Sequence, residues 1–209
     1  MGALLATAMS GAMPPGRPVN LSRRGMFAAA GAGLFLGLAI PGRAPRAQGS
    51  RPGAALRHAS KVAAYLRIAP DGTVHLQNPF AEGGQGIDSA VAQIVAEELD
   101  APPADFVVTC APAGEDYRVM QGGNARFTGG SFSVRSSFAH FRTLGATARA
   151  MLVEAADQRL AVPAASLTTD PGRVVHAESG RALPYGELAM AAAALTPPDN
   201  PPLRDPATF

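Results

Sequence analysis

Cysteine is nearly missing from this chain, with Cys110 the only one among 209 residues. An intrachain disulfide is therefore impossible, and no thiolate cluster exists for an iron–sulfur centre or a structural zinc. Any such centre in the working protein is expected on another chain. Cys110 itself is expected on a strand as a small buried apolar residue. The four histidines, His58, His75, His140 and His176, show no ligand spacing and read as surface or satisfied core residues. Acidic charge is missing from the first third, where no Asp or Glu precedes Asp71. Five arginines (Arg17, Arg23, Arg24, Arg43, Arg46) lie in that acid-free stretch, before Gln48. Without them 13 basic and 16 acidic residues remain, a net charge of −3. The pI of about 9.1 thus belongs to the N-terminal region and gives no argument for nucleic acid binding.

A long hydrophobic run is lacking too. The uncharged stretch over residues 25–40 would span only about 24 Å as a helix, short of the roughly 30 Å hydrocarbon core. Just before it stands Ser22-Arg23-Arg24-Gly25-Met26-Phe27, which resembles the twin-arginine export consensus. Met26 takes the usual place of Phe, and Phe27 that of Leu. Pro41-Gly42-Arg43 ends the stretch, and Gly42, Ala44 and Ala47 offer small residues for cleavage. Residues 1–47 are therefore expected to be a cleavable twin-arginine signal peptide rather than an N-terminal anchor or a disordered tail. The expected location is the periplasm, with membrane contact only during export. That route carries folded proteins, which predicts a cofactor or partner acquired in the cytoplasm.

After a linker at 48–61, regular patterning begins at Val62. Tyr65-Leu66-Arg67-Ile68 and residues 73–77 predict a hairpin around the turn Ala69-Pro70-Asp71-Gly72. Asp88 is a candidate cap for a helix with Val91, Ile94, Val95 and Leu99 on one face, ended by Pro102 and Pro103. Phe106-Val107-Val108-Thr109-Cys110 reads as a buried strand. A long helix is predicted from about residue 136 to 160, with Phe138, Phe141, Ala148, Leu152 and Ala155 on its core face. Small residues at Gly145, Ala146, Ala148 and Ala150 invite close packing. A short hairpin turning at Asp170-Pro171-Gly172 and a helix over 185–195 complete an α+β layout of mixed sheet, hairpins and helices. Residues 62–196 form the expected domain, and the proline-dense residues 197–209 read as a connector to a further region.

Two glycine-rich loops carry the chemistry. Glu82-Gly83-Gly84-Gln85-Gly86 precedes the first helix, and Met120-Gln121-Gly122-Gly123 followed by Thr128-Gly129-Gly130-Ser131-Phe132-Ser133-Val134-Arg135-Ser136-Ser137 precedes the long one. Glycines let backbone approach a ligand, and amides at a helix start suit electron-rich groups. The first loop lacks the Lys-Ser/Thr of a P-loop and the spacing of a dinucleotide fingerprint. Each also has a plain structural reading: a glycine-rich turn for the first, and N-capping by Ser136 or Ser137 for the second.

Taken together the loops resemble the molybdopterin-binding large subunit of the xanthine dehydrogenase/aldehyde oxidase family. The likeness is closest to its isoquinoline 1-oxidoreductase beta-subunit branch, which includes exported aldehyde dehydrogenases. It runs from about residue 65 to 209 and includes Ala69-Pro70-Asp71-Gly72-Thr73-Val74, Ala96-Glu97-Glu98-Leu99 and Ala148-Arg149-Ala150-Met151-Leu152. The resemblance implies a molybdenum hydroxylase acting on an aldehyde or N-heterocycle. It implies molybdopterin in its cytosine dinucleotide form, a small iron–sulfur partner subunit and a cytochrome as a candidate electron acceptor. By the same resemblance Gly84, Gln85 and Gly86, then Thr128, Gly129, Gly130 and Ser131, contact the cofactor. The family's catalytic glutamate, in a Gly-Glu context near the end of a full subunit, has no counterpart here, and Glu82 is not that residue. The expectation is an amino-terminal part, inactive alone. Two other classes remain: a small exported ligand-binding module, and a molybdopterin assembly protein, both without catalysis.

Overall fold

The computed structural model describes residues 64–114, 117–119 and 125–209, together with the backbone of residues 34–37. The rest of the expected leader and the linker lie outside the described residues. A four-stranded mixed sheet takes its strands in sequence order, β1 Leu34–Gly37, β2 Ala64–Ile68, β3 Val74–Asn78 and β4 Phe106–Cys110. The β2–β3 hairpin is antiparallel with Leu66 opposite Leu76, around the expected turn. Asp71 holds that turn, accepting from Thr73 N at 2.9 Å, a bond that keeps its carboxyl below the usual range. β3 and β4 run parallel, Val74 beside Phe106, joined through helix α1, Ile87–Leu99.

The predicted apolar stripe of α1 is the buried one: Val91, Val95 and Leu99 are fully buried. Each such side chain contributes about 1.5–3 kcal/mol of burial. Helix α2, Phe132–Leu160, has 29 residues and runs about 44 Å. It crosses α1 at Gly145, where an added Cβ would sit 2.6 Å from the carbonyl oxygen of Val95. The missing side chain of Gly145 makes room for that approach. Phe141, Leu144, Ala148, Met151, Leu152 and Ala155 of α2 are buried.

Five expectations about α1, α2 and β4 need correction. α2 begins a full turn earlier than residue 136. Ser136 and Ser137 do not cap it, since their hydroxyls donate back to Phe132 O and Ser133 O at 2.7 and 2.6 Å. Phe138 is 45% exposed and lies in a first stretch of α2 where Phe132, Val134 and Arg135 are exposed as well. β4 is an outer strand with Val107, Thr109 and Cys110 exposed, so Cys110 is no core residue. Asp88 lies inside α1 and does not cap it; the helix starts from Gly86.

The C-terminal part is a three-stranded antiparallel sheet rather than one hairpin: β5 Leu167–Asp170, β6 Arg173–His176 and β7 Arg181–Pro184. Helix α3, Tyr185–Ala193, follows. This sheet is tied to the end of α1: Gly172 N donates to Asp100 O, and the buried Tyr185 hydroxyl donates to Leu99 O at 2.8 Å. Burial, then the Asp100 carboxylate, pushes the Tyr185 phenol well above its ordinary range. His176 is buried and satisfied, with Nδ1 2.7 Å from Ser179 Oγ.

The proline-dense tail does not stand away from the domain. Fully buried Glu98 on α1 pairs with Arg142 of α2, and its second oxygen accepts Arg204 N at 2.9 Å. Arg149 Nη2 donates to Pro202 O, and Arg142 Nη2 donates to Arg204 O. Arg204 reaches Glu97 O and the Asp100 carboxylate. Three arginines and a buried glutamate thus strap residues 202–204 across the α1–α2 pair. No described helix is long and apolar enough to cross a membrane.

Candidate cofactor-binding site

Both glycine loops open helices, the first springs from the end of β3, and the fold brings them side by side. The first leaves β3 at Asn78, a fully buried side chain. Its Oδ1 accepts Phe80 N at 2.9 Å and its Nδ2 donates to Asp88 Oδ1 at 2.6 Å. One amide therefore ties the start of the loop to the first turn of α1, while Phe80 anchors it in the core.

Glu82 then shapes the loop from within. Its Oε1 accepts the N–H groups of Gly84 and Gly86 at 2.7 and 3.1 Å, and its Oε2 accepts Asp88 N at 3.1 Å. Gly84 and Gly86 have φ of +96° and +79°, the left-handed conformation that glycine adopts without strain. The carboxylate thus supplies the negative charge favoured at the N-terminus of α1. The Asp88 and Gly86 amides hold it below the usual carboxylate range. The Gln85 side chain braces the same turn, donating to Ala81 O at 2.6 Å and accepting Gly83 N at 2.7 Å.

The second loop is pinned to the first at two points. Thr128 Oγ1 accepts Ala81 N at 2.8 Å. Arg126 spreads its guanidinium over three carbonyls: Nε to Pro79 O, Nη1 to Pro112 O at 2.6 Å and Nη2 to Ala111 O at 2.7 Å. Beyond Thr128 the backbone stays left-handed at Gly130 and Ser131, with φ of +57° and +55°. For serine that conformation is uncommon and mildly strained. Ser131 makes no side-chain capping bond to α2.

Between the two loops lies a cleft of about 360 Å³, lined by Gln85, Gly86, Ile87, Ala90, Thr128, Gly129, Ser131, Ser133 and Val134. Five of the seven expected contact residues, Gln85, Gly86, Thr128, Gly129 and Ser131, line it together. Gly84 and Gly130 sit in the same loops, outside that lining. Asn78, Glu82 and Arg126 organise the site without being legible as site residues in the sequence. The place of Asn78 at a strand end was the available signal for the first, and the charge beside the glycines for the second. Nothing in the sequence marked Arg126, whose partners are backbone carbonyls.

The cleft fits a polar heterocycle. Its volume lies in the range of small-molecule pockets, about 300–1,000 Å³. Thr128 keeps its hydroxyl proton to donate and Gln85 keeps a second amide proton, against the apolar wall of Ile87, Ala90 and Val134. Among the described residues no group of three or more His, Cys, Asp or Glu side chains is placed to hold a metal ion. A metal at this cleft would arrive with its own ligands.

A cleft built from paired glycine loops at two helix starts defines a ligand-binding domain of the α+β class. The chain belongs to the molybdopterin cofactor-binding domain family, which it matches over residues 23–209. It is 37% identical to the beta subunit of isoquinoline 1-oxidoreductase from Brevundimonas diminuta over 175 residues, 81% of this chain and 22% of that protein. It is 33% identical to the membrane-bound aldehyde dehydrogenase (pyrroloquinoline-quinone) of Gluconacetobacter polyoxogenes over 139 residues, 65% of this chain and 17% of that protein. Among solved structures, Cu,Mo-CO dehydrogenase in its carbon monoxide reduced state aligns with a TM-score of 0.48 and 26% identity, covering 60% of this chain and 15% of that one. The chain spans about a fifth of the length of the curated relatives it matches.

Proposed function

We propose that this chain is the molybdopterin-binding part of the large subunit of a molybdenum hydroxylase that oxidises an aldehyde or an N-heterocycle. The observation that carries the reading is the convergence of the two glycine loops on one cleft, with Thr128 bonded to Ala81 across it. Bound there, molybdopterin would supply the redox-active metal. A substrate C–H becomes C–OH with oxygen from water, releasing two electrons and two protons. The chain's own residues hold and orient the pterin: Gln85 and Gly86 from one side, Thr128, Gly129 and Ser131 from the other, with Gly84 and Gly130 giving the loops their shape. The name of the aldehyde-oxidising relative supports an aldehyde, and that of the isoquinoline-oxidising one an N-heterocycle.

Iron–sulfur clusters carried on a small partner subunit, with a cytochrome as a candidate final acceptor, are part of the proposal. The cytosine dinucleotide form of the cofactor belongs to the same proposal. So does twin-arginine export to the periplasm, supported by Arg23-Arg24 and the weakly apolar stretch after them. Metal and pterin analysis of the purified assembled enzyme tests the reading. About one molybdenum and one pterin per large subunit is expected. An active enzyme free of molybdenum, or one holding a quinone instead, would sink it.

A further inference from the structure

Arg126 stands two residues before Thr128 but outside the cleft. Its guanidinium joins three pieces of chain. Pro79 follows β3, and Ala111 and Pro112 follow β4, so the three carbonyls it binds belong to the ends of two neighbouring parallel strands. Strand ends leave such carbonyls without ladder partners, and leaving a part-buried acceptor unpaired is costly. Arginine suits the position because its planar fork presents five donors in fixed directions. An ammonium group concentrates its donors on one nitrogen and cannot cover acceptors on both strand ends.

The consequence reaches the site. Residues 126–128 meet residues 79–81 at two points, Arg126 to Pro79 O and Ala81 N to Thr128 Oγ1. These staples fix where the second glycine loop lies relative to the first. We propose that Arg126 is a positioning residue that sets the gap between the two glycine loops, and so the fit of the cofactor, without touching it. The inference rests on the function proposed above.

The test uses the assembled holoenzyme with Arg126→Ala, Arg126→Lys, Thr128→Val and Thr128→Ser. Two readouts are taken besides activity: molybdenum and pterin per subunit, and amide hydrogen exchange. Arg126→Ala and Arg126→Lys are expected to carry at least tenfold less cofactor. Exchange should quicken in residues 81–86 and 128–131 while the β5–β7 sheet keeps its protection. Thr128→Val, which loses the acceptor for Ala81 N, should load less than Thr128→Ser, which keeps it, and equal loading of the two overturns the role of that staple. Where Arg126→Ala fails to fold, Arg126→Lys decides, because it keeps the charge and the aliphatic stem. A fully loaded Arg126→Lys enzyme, or loss of cofactor with unchanged loop exchange, overturns the role of Arg126 alone. A wild-type enzyme without molybdenum and pterin overturns the proposed function and this role with it.

Discussion

Glu82 takes up with its own carboxylate the amides that an incoming anion would otherwise use. Three N–H groups converge on it, and hydrogen bonds to a charged acceptor are the strong kind. In Glu82→Gln one oxygen becomes an NH₂ facing another N–H. Amide exchange at Gly84, Gly86 and Asp88 should rise several-fold, read by hydrogen-exchange mass spectrometry. The pH dependence follows from the lowered folded value. A depressed carboxylate contributes its full order above its unfolded value and loses it as pH falls through the folded one. Loop protection should therefore be flat from neutral pH down to the ordinary value of 4.5, then fall in stronger acid. Glu82→Gln should stay flat over the whole range, at lower protection than wild type and without the acid limb.

At the scale of elements, the α1–α2 crossing and the charge strap decide most. Gly145→Ala sets two effects against each other. Alanine gains up to about 1 kcal/mol of helix propensity. The added Cβ meets Val95 O at 2.6 Å and Glu98 Cβ at 2.8 Å, and overpacking of this kind costs about 1–3 kcal/mol. The clash is with backbone that cannot swing away, so the variant should be less stable, with a lower urea midpoint. Glu98→Ala strands Arg142 and Arg149, 14% and 19% exposed in their side chains, and should cost about 3–5 kcal/mol. It should also free residues 202–204 to proteolysis, because Arg204 N loses its acceptor. The exposed pair Arg159–Glu187, near half exposed on both sides, is the contrast. Arg159→Ala should change stability by no more than about 1 kcal/mol.

For the whole molecule, the N-terminal region carries the test of the export proposal. Residues 34–37 fall within the expected leader, and the sheet takes them as β1, paired to β2 with an irregularity after Leu36. A leader cut between residues 42 and 47 would carry β1 away and leave β2 as an edge, with unpaired backbone groups. N-terminal sequencing of the enzyme purified from the periplasm checks this. The proposal of export expects a mature chain beginning after residue 42. A mature protein that keeps residues 34–37 would count against a cleaved leader.

Much was legible in the sequence because it was local. The β2–β3 hairpin follows from Pro70-Asp71-Gly72, α1 from the spacing of Val91, Val95 and Leu99, and the two loops from their glycines. Near-absence of cysteine determined that this chain holds no thiolate cluster. Tertiary structure alone decided the rest. Whether β4 is inner or outer depends on what pairs beyond it, which a run such as Phe-Val-Val-Thr-Cys does not encode. Phe138 keeps helical register with the core yet sits in the exposed first turns of α2. The tail reads as a linker by its prolines, but Glu98, Arg142 and Arg149 hold it from elements more than 50 residues away. The cleft is the clearest case: the family resemblance carried by the two glycine motifs named most of its lining, but only the fold set Gln85 and Gly86 opposite Thr128 and Ser131. The bonds doing so join side chains to backbone groups 47 residues apart, and backbone partners leave no mark in a sequence.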